Sequence, residues 1–429
     1  MVDRLTAELL LDDLTPDEQA RAERVESVLP ALRDAAVEAD RLGEFPLGHV
    51  ATLSAAGLLG LVVPTEFGGL GGGLRDLAAA TFAMGTACPS TALAYFFQCS
   101  SASRGLLPLE AVSAGLFTDP SEAATVEAFA TRLLERLGHG GRWMANFASE
   151  SAKSSTANIT ISTEATEVDG GWVLNGVKAF GCATGVADDY LVTAKLPGGA
   201  TAEFLGVFLV DRSADGVSER TRWDAIGMRA SATHGIVLRD VFVAHDDALA
   251  LPGAFVKMMR MSRGSFVGSQ LAGTAVYVGA AHAVYDFTMA HLTSTRFADT
   301  GESIGTAPFQ QQLVGQMRTS LDTALLWLKR QIELETSEPP IWPKDDVVRN
   351  WRLAKGAISE AAFDVGVNAL KACGTSNTVN SGMVARSLRD LSMGLVQAFP
   401  PEKGRLEAAS ALVTGAESTQ FGASQPPGR

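Results

Sequence analysis

Glu402 follows a Pro400-Pro401 bend in a frame running from Arg389-Asp390 through Ala398 and Phe399 to Arg405-Leu406. A carboxylate re-aimed by such a bend is a candidate general base. The competing assignment is a surface ion pair with Lys403 or Arg405, which contributes little. Arg389-Asp390 reads as an internal salt bridge fixing the loop that follows. Glu150 closes the run Ala145-Asn146-Phe147-Ala148-Ser149-Glu150 and reads as a structural carboxylate. Cys88, Cys99, Cys182 and Cys373 have no CxxC spacing and read as reduced thiols. The six histidines show neither HExxH nor paired-ligand spacing, so no metal site is expected. His234, His282 and His291 read as non-catalytic. Gly68-Gly69-Leu70-Gly71 lacks the strand–GxGxxG–helix setting of a phosphate cradle and reads as a structural turn.

The elements that must position these residues come in three blocks. Apolar residues at helical spacing (Val25, Val28, Leu29, Leu32; Leu133, Leu134, Leu137) make residues from about 16 to 140 helical, interrupted by the turn Val63 to Gly73. One small-residue helix is expected from Leu77 to Leu107. From Trp143 to Val243, β-branched runs alternate with turn residues. Expected strands are Asn158 to Thr163, Trp172 to Leu174, Tyr190 to Leu196, Phe204 to Val210 and Gly235 to Val243. Asp169-Gly170-Gly171 and Asn175-Gly176 are expected turns. Short strands without intervening helices imply a small barrel or sandwich. Helix returns from about 254, over Phe266 to His291, Gln311 to Glu335 and Asp346 to Cys373. The tail from Gly415 is expected to be disordered.

The chain has 429 residues, enough for two or three domains, and a net charge of -13. That charge argues against nucleic acid as a partner, since phosphate neutralisation needs clustered Lys and Arg. No signal peptide and no apolar run of membrane-spanning length is seen, so a cytoplasmic protein without membrane partners is expected.

Several motifs, in order, resemble the acyl-CoA dehydrogenase superfamily. They are Val63-Pro-Thr-Glu-Phe-Gly-Gly-Leu-Gly-Gly-Gly73, Trp223-Asp-Ala-Ile-Gly-Met-Arg-Ala-Ser231, Val237 to Val243, Arg296-Phe297, and Phe309 to Met317. The resemblance covers roughly residues 20 to 415. It implies an α+β fold: an N-terminal helical domain over 1–141, a middle β-domain over 142–252, a C-terminal four-helix bundle over 253–414, and a tail over 415–429. It also implies a homotetramer or homodimer and a flavin, FAD first with FMN the alternative, between the β-domain and the bundle.

Carried over position by position, the resemblance gives an uneven site. Asn146, Ala148 and Ser149 match a strand end that binds the isoalloxazine edge. Ser155 falls where a serine approaches cofactor phosphate or substrate. Phe180 stands for the tryptophan packing on the flavin, and Cys182 for the threonine that hydrogen-bonds N5, a weaker partner. Arg296, Phe297, Gln311, Lys371, Gly374 and Thr375 fall at the adenine end. There Thr375 adds bulk where the family has glycine. Arg263, Ala398 and Phe399 fall at substrate positions. Ala398 occupies the position of the family's catalytic glutamate. The second known location of that base, the residue before Arg263, is Ser262. Neither holds a carboxylate, and a positioned base supplies roughly 10²–10⁴-fold.

Three functions compete. One is a flavin-dependent oxidoreductase of acyl thioesters on coenzyme A or a carrier protein, in specialised metabolism, with electron-transfer flavoprotein as acceptor and non-standard chemistry. Another is a two-component monooxygenase using O2 and reduced flavin from a separate reductase. The third is a catalytically degenerate paralogue, against which Ser149, Phe180 and Arg296 argue.

Overall fold

The computed structural model describes residues 5–151, 160–262 and 270–415. Ser155, Arg263 and all of the expected tail except Gly415 lie outside these residues.

Six helices come first: α1 (Pro16–Leu42), α2 (Leu47–Ala55), α3 (Leu74–Ala87), α4 (Pro89–Ser101), α5 (Ser103–Ser113) and α6 (Pro120–Leu137). Thr15 caps α1 reciprocally with Glu18, and left-handed Gly43 stops it. The single helix expected over Leu77 to Leu107 is three. Pro89 has no N–H to continue α3 and instead opens α4, and the chain turns again at Ala102.

Strands follow: β1 (Met144–Phe147), β2 (Glu164–Val168), β3 (Gly171–Lys178), β4 (Asp189–Lys195), β5 (Leu205–Asp211), β6 (Val217–Glu219), β7 (Ile236–Ala244) and β8 (Ala248–Leu249). They form one sheet in the order β6-β7-β3-β2-β4-β5-β8, with β1 running parallel to β4. Two expectations fail. Residues 160–163 are not strand, and the first part of that run lies outside the described residues. Asn175-Gly176 is not a turn but a register shift inside β3. Asn175 Oδ1 accepts from Asp240 N–H at 2.9 Å and Asn175 Nδ2 donates to Asp240 Oδ1 at 3.0 Å, so the side chains complete the ladder across the bulge.

The chain then returns to helix: α7 (Ala254–Arg260), α8 (Gln270–Ser294), α9 (Pro308–Thr336), α10 (Lys344–Cys373), α11 (Met383–Gly394) and α12 (Pro401–Thr414). Glycines let α3 and α8 pack closely: a Cβ on Gly279 would stand 2.0 Å from the Phe82 carbonyl oxygen. One core runs from α1 and α3 through the sheet into α8 and α10. A second joins α5, α6 and α7 to β1, β4 and β5. Two buried polar side chains lock the first block onto the sheet. Gln98 of α4 accepts from Met144 N–H and donates to Leu59 O and Arg142 O. Asp189 of β4 receives both Arg136 and Arg142. No helix among the described residues is long and apolar enough to cross a membrane.

Candidate functional site

The sheet presents one face of the site where the ends of β1 and β3 meet. Ala179 N–H donates to Ser149 O at 3.0 Å, which sets Asn146, Ala148 and Ser149 beside Phe180. Phe180 is 52% exposed, with Trp223 meeting it edge-on at 5.7 Å. Below this face lies a buried ion pair, Lys178 Nζ to Glu150 Oε1 at 2.7 Å, and Lys178 also donates to Thr193 O. Burial alone would raise the Glu150 carboxyl. Lys178, with hydrogen bonds from Ser162 and Thr163, outweighs it and holds the group at about 2. Glu150 therefore clamps Ser162 and Thr163 to the end of β1, a structural duty matching its sequence assignment.

Cys182 points inward instead of onto the open face. It is 4% exposed, and its sulfur contacts Thr233 Oγ1 at 3.2 Å. Thr233 in turn meets Ser231 Oγ at 2.7 Å, and Ser231 donates to Met228 O. Burial pushes the thiol up to about 12, so Cys182 is a neutral thiol in ordinary buffers. Thr233 is a hydroxyl in this region that motif matching had missed. Tyr277 of α8 lies nearby: burial, then Cys182 and Asp390, raise its phenol. Its Oη is buried with no hydrogen-bond partner among the described residues. Gly394 makes room for its ring, since a Cβ there would sit 3.0 Å from Tyr277 Cγ.

The stretch Trp223 to Ser231 is stapled between α1 and α11. Asp390 Oδ1 accepts from Met228 N–H at 2.6 Å. Gly227 passes so close to α11 that a Cβ would stand 2.1 Å from Arg389 O. The expected Arg389–Asp390 pair does not form. Successive helix residues point about 100° apart, so the two side chains serve different neighbours. Arg389 makes two bonds to Asp40 of α1, at 2.9 and 2.6 Å. Asp390 is buried and pushed up to about 6, chiefly by desolvation.

The loop from α11 to α12 carries Ala398, exposed and left-handed at φ 65°. Fully buried Lys355 of α10 donates to Gly394 O at 2.9 Å and to Phe399 O, bracketing the loop. Phe399, expected at the substrate, instead turns into the bundle. Its ring packs edge-on against Trp351, with Arg352 5.0 Å and Lys355 5.4 Å from its centroid. Glu402 lies on the first turn of α12 with its side chain 76% exposed, 3.4 Å from Arg405. That is the competing surface assignment. The α8 residue facing the loop is Gln270, whose Oε1 accepts from Gln397 Nε2 at 3.4 Å. Ser262 lies eight residues earlier, beyond the end of α7.

Arg296, Phe297, Gln311, Lys371, Gly374 and Thr375 form a second, exposed group. A small core of Leu292, Leu313 and Ala372 gathers them at the α8–α9 turn and the end of α10. Gln311 donates to Thr306 O, and Lys371 to Asn368 Oδ1. Among the described residues no hydrogen bond or ion pair links this group to the sheet face.

A cavity of about 420 Å³ opens between α3, α5 and the ends of α7 and α9. Ser100, Ser103, Leu107, Glu110, Met261, Ser262, Glu335 and Glu338 are among its lining residues. No group of three or more His, Cys, Asp or Glu that could hold a metal occurs among the described residues.

The sequence matches the acyl-CoA dehydrogenase N-terminal domain over residues 15–108, the middle domain over 145–241 and the C-terminal domain over 271–399. It is 30% identical to L-evernosamine nitrososynthase from a Micromonospora species, over 67% of this chain and 64% of that protein. It is 23% identical to cyclohex-1-ene-1-carbonyl-CoA dehydrogenase from Syntrophus aciditrophicus, over 89% of this chain and 86% of that one. Among solved structures, KijD3 in complex with FMN and dTDP-3-amino-2,3,6-trideoxy-4-keto-3-methyl-D-glucose superposes with a TM-score of 0.76. The two share 25% identity over 96% of this chain and 97% of that one.

Proposed function

The chain belongs to the acyl-CoA dehydrogenase family, and within it we propose a flavin-dependent monooxygenase that oxygenates the nitrogen of an amine. The observation that carries this reading is the neutral pair at the loop. Ala398 has no functional group, and the α8 residue that meets the loop is Gln270. α,β-Dehydrogenation needs a carboxylate-like base to take a proton from carbon. An amine nucleophile needs none at that position. The likeness to a nitrososynthase, and to a solved structure holding FMN and an amino sugar nucleotide, supports the same class.

The residues fit a flavin at the sheet face. Phe180 offers an open aromatic surface beside the backbone of Asn146 to Ser149, and Tyr277 Oη has no partner among the described residues. A reduced flavin bound there would supply activation of O2. Asn146, Ala148, Ser149 and Phe180 would hold the ring, and Lys178–Glu150 would keep the strand ends beneath it rigid. Arg296, Gln311, Lys371, Gly374 and Thr375 would hold an adenine half only if the cofactor is FAD, reached across a subunit boundary. Exposed Leu406, Leu412 and Val413 on α12 support self-association.

A second reading, an acyl-thioester oxidoreductase with an electron-transfer flavoprotein partner, is supported by the dehydrogenase relative. One assay separates the two. Full-length protein is mixed with a flavin reductase, NADH, FMN and an amino sugar, and in parallel with acyl-CoAs and a dye acceptor. Oxygenated amine formed only with O2 and reduced flavin is the expected result. Wild-type oxidation of an acyl-CoA, with no amine product, would overturn it.

A further inference from the structure

The segment from Trp223 to Met228 is held at both ends. At its far end Asp390 Oδ1 accepts from Met228 N–H at 2.6 Å. At its near end Trp223 N–H donates to Nδ1 of His234 at 2.7 Å. Trp223 Nε1 donates to Met228 O at 3.2 Å, closing the segment on itself, and the indole meets the exposed ring of Phe180 edge-on. His234 is half-buried and stands just before β7. Its neighbour Gly235 runs so close to the end of β3 that a Cβ would lie 2.5 Å from Ala179 O. The imidazole is thus tied to the strand end that carries Phe180, and the Trp223 segment is tied to the imidazole.

A ring nitrogen accepts a hydrogen bond only when it carries no proton. The bond from Trp223 N–H therefore requires a neutral imidazole with its proton on Nε2. Protonated His234 would set two N–H groups against each other. Burial favours the neutral form and lowers the group from 6.5, with Glu219 of β6 opposing and Arg222 assisting. The other charges around it are engaged elsewhere: Lys178 of β3 with Glu150, and exposed Asp224 beside Arg229. We propose that His234 is a positioning residue of the sheet face: neutral, it latches the Trp223 segment against Phe180, and protonated, it lets that segment go. The latch holds whatever the face binds, and its effect on a cofactor rests on the flavin reading above. In the open segment His234 titrates at its ordinary 6.5, whereas the closed one resists the proton. The latch is therefore complete above about pH 6.5 and weakens as pH falls. Each unit below that value favours opening about tenfold, or roughly thirtyfold at pH 5.

The test is hydrogen exchange of the full-length, flavin-free protein between about pH 7.5 and 5, read by mass spectrometry on peptides spanning residues 220–228 and corrected for intrinsic rates. Wild-type protection of the segment is expected to fall about thirtyfold, while β3 and β7 stay protected. His234→Asn keeps an acceptor, Oδ1, at the Nδ1 position and cannot titrate, so its segment should stay closed at both pH values. His234→Leu should be open at both; should it not fold, wild type and His234→Asn still decide. Unchanged wild-type protection in acid would overturn the proposal. So would a loss that persists in His234→Asn, which would assign it to Asp390 at the other anchor. A His234→Asn segment open at about pH 7.5 would mean that the ring, and not its acceptor nitrogen, does the holding, and would overturn it too. FMN affinity, followed by quenching of flavin fluorescence, should weaken over the same range in wild type and stay constant in His234→Asn. Equal FMN affinity at both pH values while the segment opens would overturn the positioning role. FMN that binds at neither pH would sink the flavin reading instead, and the exchange results judge the latch without it.

Discussion

Gln397 Nε2 donates to Gln270 Oε1 at 3.4 Å, joining the loop that carries Ala398 to the first residue of α8. The contact lies one residue from Ala398, the position that the resemblance aligns with the family's catalytic glutamate, and both of its side chains are neutral amides. Gln397 Oε1 is buried and has no donor among the described residues. An unmet acceptor there suits an N–H or O–H of a bound molecule better than a carbon acid.

Restoring a carboxylate should restore part of the missing chemistry. Ala398→Glu adds no new backbone strain, because Ala398 is already left-handed at φ 65° and any L-residue bears the same penalty. Acyl-CoA oxidation, followed with a dye acceptor, should rise by up to about 10²-fold over wild type. An unchanged rate would mean the loop does not face the substrate. Ala398→Gly, by contrast, should stabilise the protein by about 0.5–1 kcal/mol in urea melts.

Lys355 holds that loop from beneath, through Gly394 O and Phe399 O. Lys355→Met keeps the chain length but leaves two carbonyls without their donor. The expected cost is about 1–3 kcal/mol, read from the urea midpoint at unchanged slope. Gains at Ala398→Glu should shrink in the double variant, since the glutamate would no longer be held in place. Full retention of the gain would show that Lys355 is not what positions the loop.

Much of this architecture is legible in the sequence because periodicity switches twice, from helical to alternating near Trp143 and back after about 254. Errors arise where local signals compete with tertiary packing. Asn175-Gly176 is a strong turn dipeptide, yet β7 pairs with both sides of it and makes it a bulge. Arg389 and Asp390 suggest each other by adjacency. Their partners, Asp40 and Met228, lie 349 and 162 positions away, distances that no spacing rule reads. Gln270 was hidden because the Met261-Ser262-Arg263 motif draws attention eight residues upstream of the helix start that meets the loop.

The Lys178–Glu150 pair should show in acid. Glu150 is held at about 2 against an ordinary value of 4.5. A depressed carboxyl stabilises the fold above its unfolded pKa and loses that contribution as pH falls through its folded one. The unfolding free energy should therefore fall between about pH 4.5 and 2. Lys178→Met strands the buried carboxylate and should cost about 3–5 kcal/mol at neutral pH. Glu150→Gln/Lys178→Met should recover part of that, measured by urea denaturation. If the single Lys178→Met were neutral, the pair would not be what closes the strand ends.

Asp390 predicts the opposite slope. Its carboxyl is raised from 3.8 to about 6 by burial, opposed by Met228 N–H, with Asp40 adding repulsion and Arg386 and Arg389 attraction. A raised carboxyl binds its proton more tightly folded than unfolded, so its contribution is complete below about pH 3.8 and is lost as pH rises through about 6. Asn imitates the protonated acid and still accepts from Met228 N–H through Oδ1. Asp390→Asn should match wild type below about pH 4 and exceed it above about pH 6, by up to about 3 kcal/mol. Urea melts across that range, with Asp40–Arg389 intact in both proteins, give the comparison directly. An Asp390→Asn protein less stable than wild type at pH near 7.5 would mean that the ionised carboxylate is what holds Met228 to α11, and the sign of the argument would reverse.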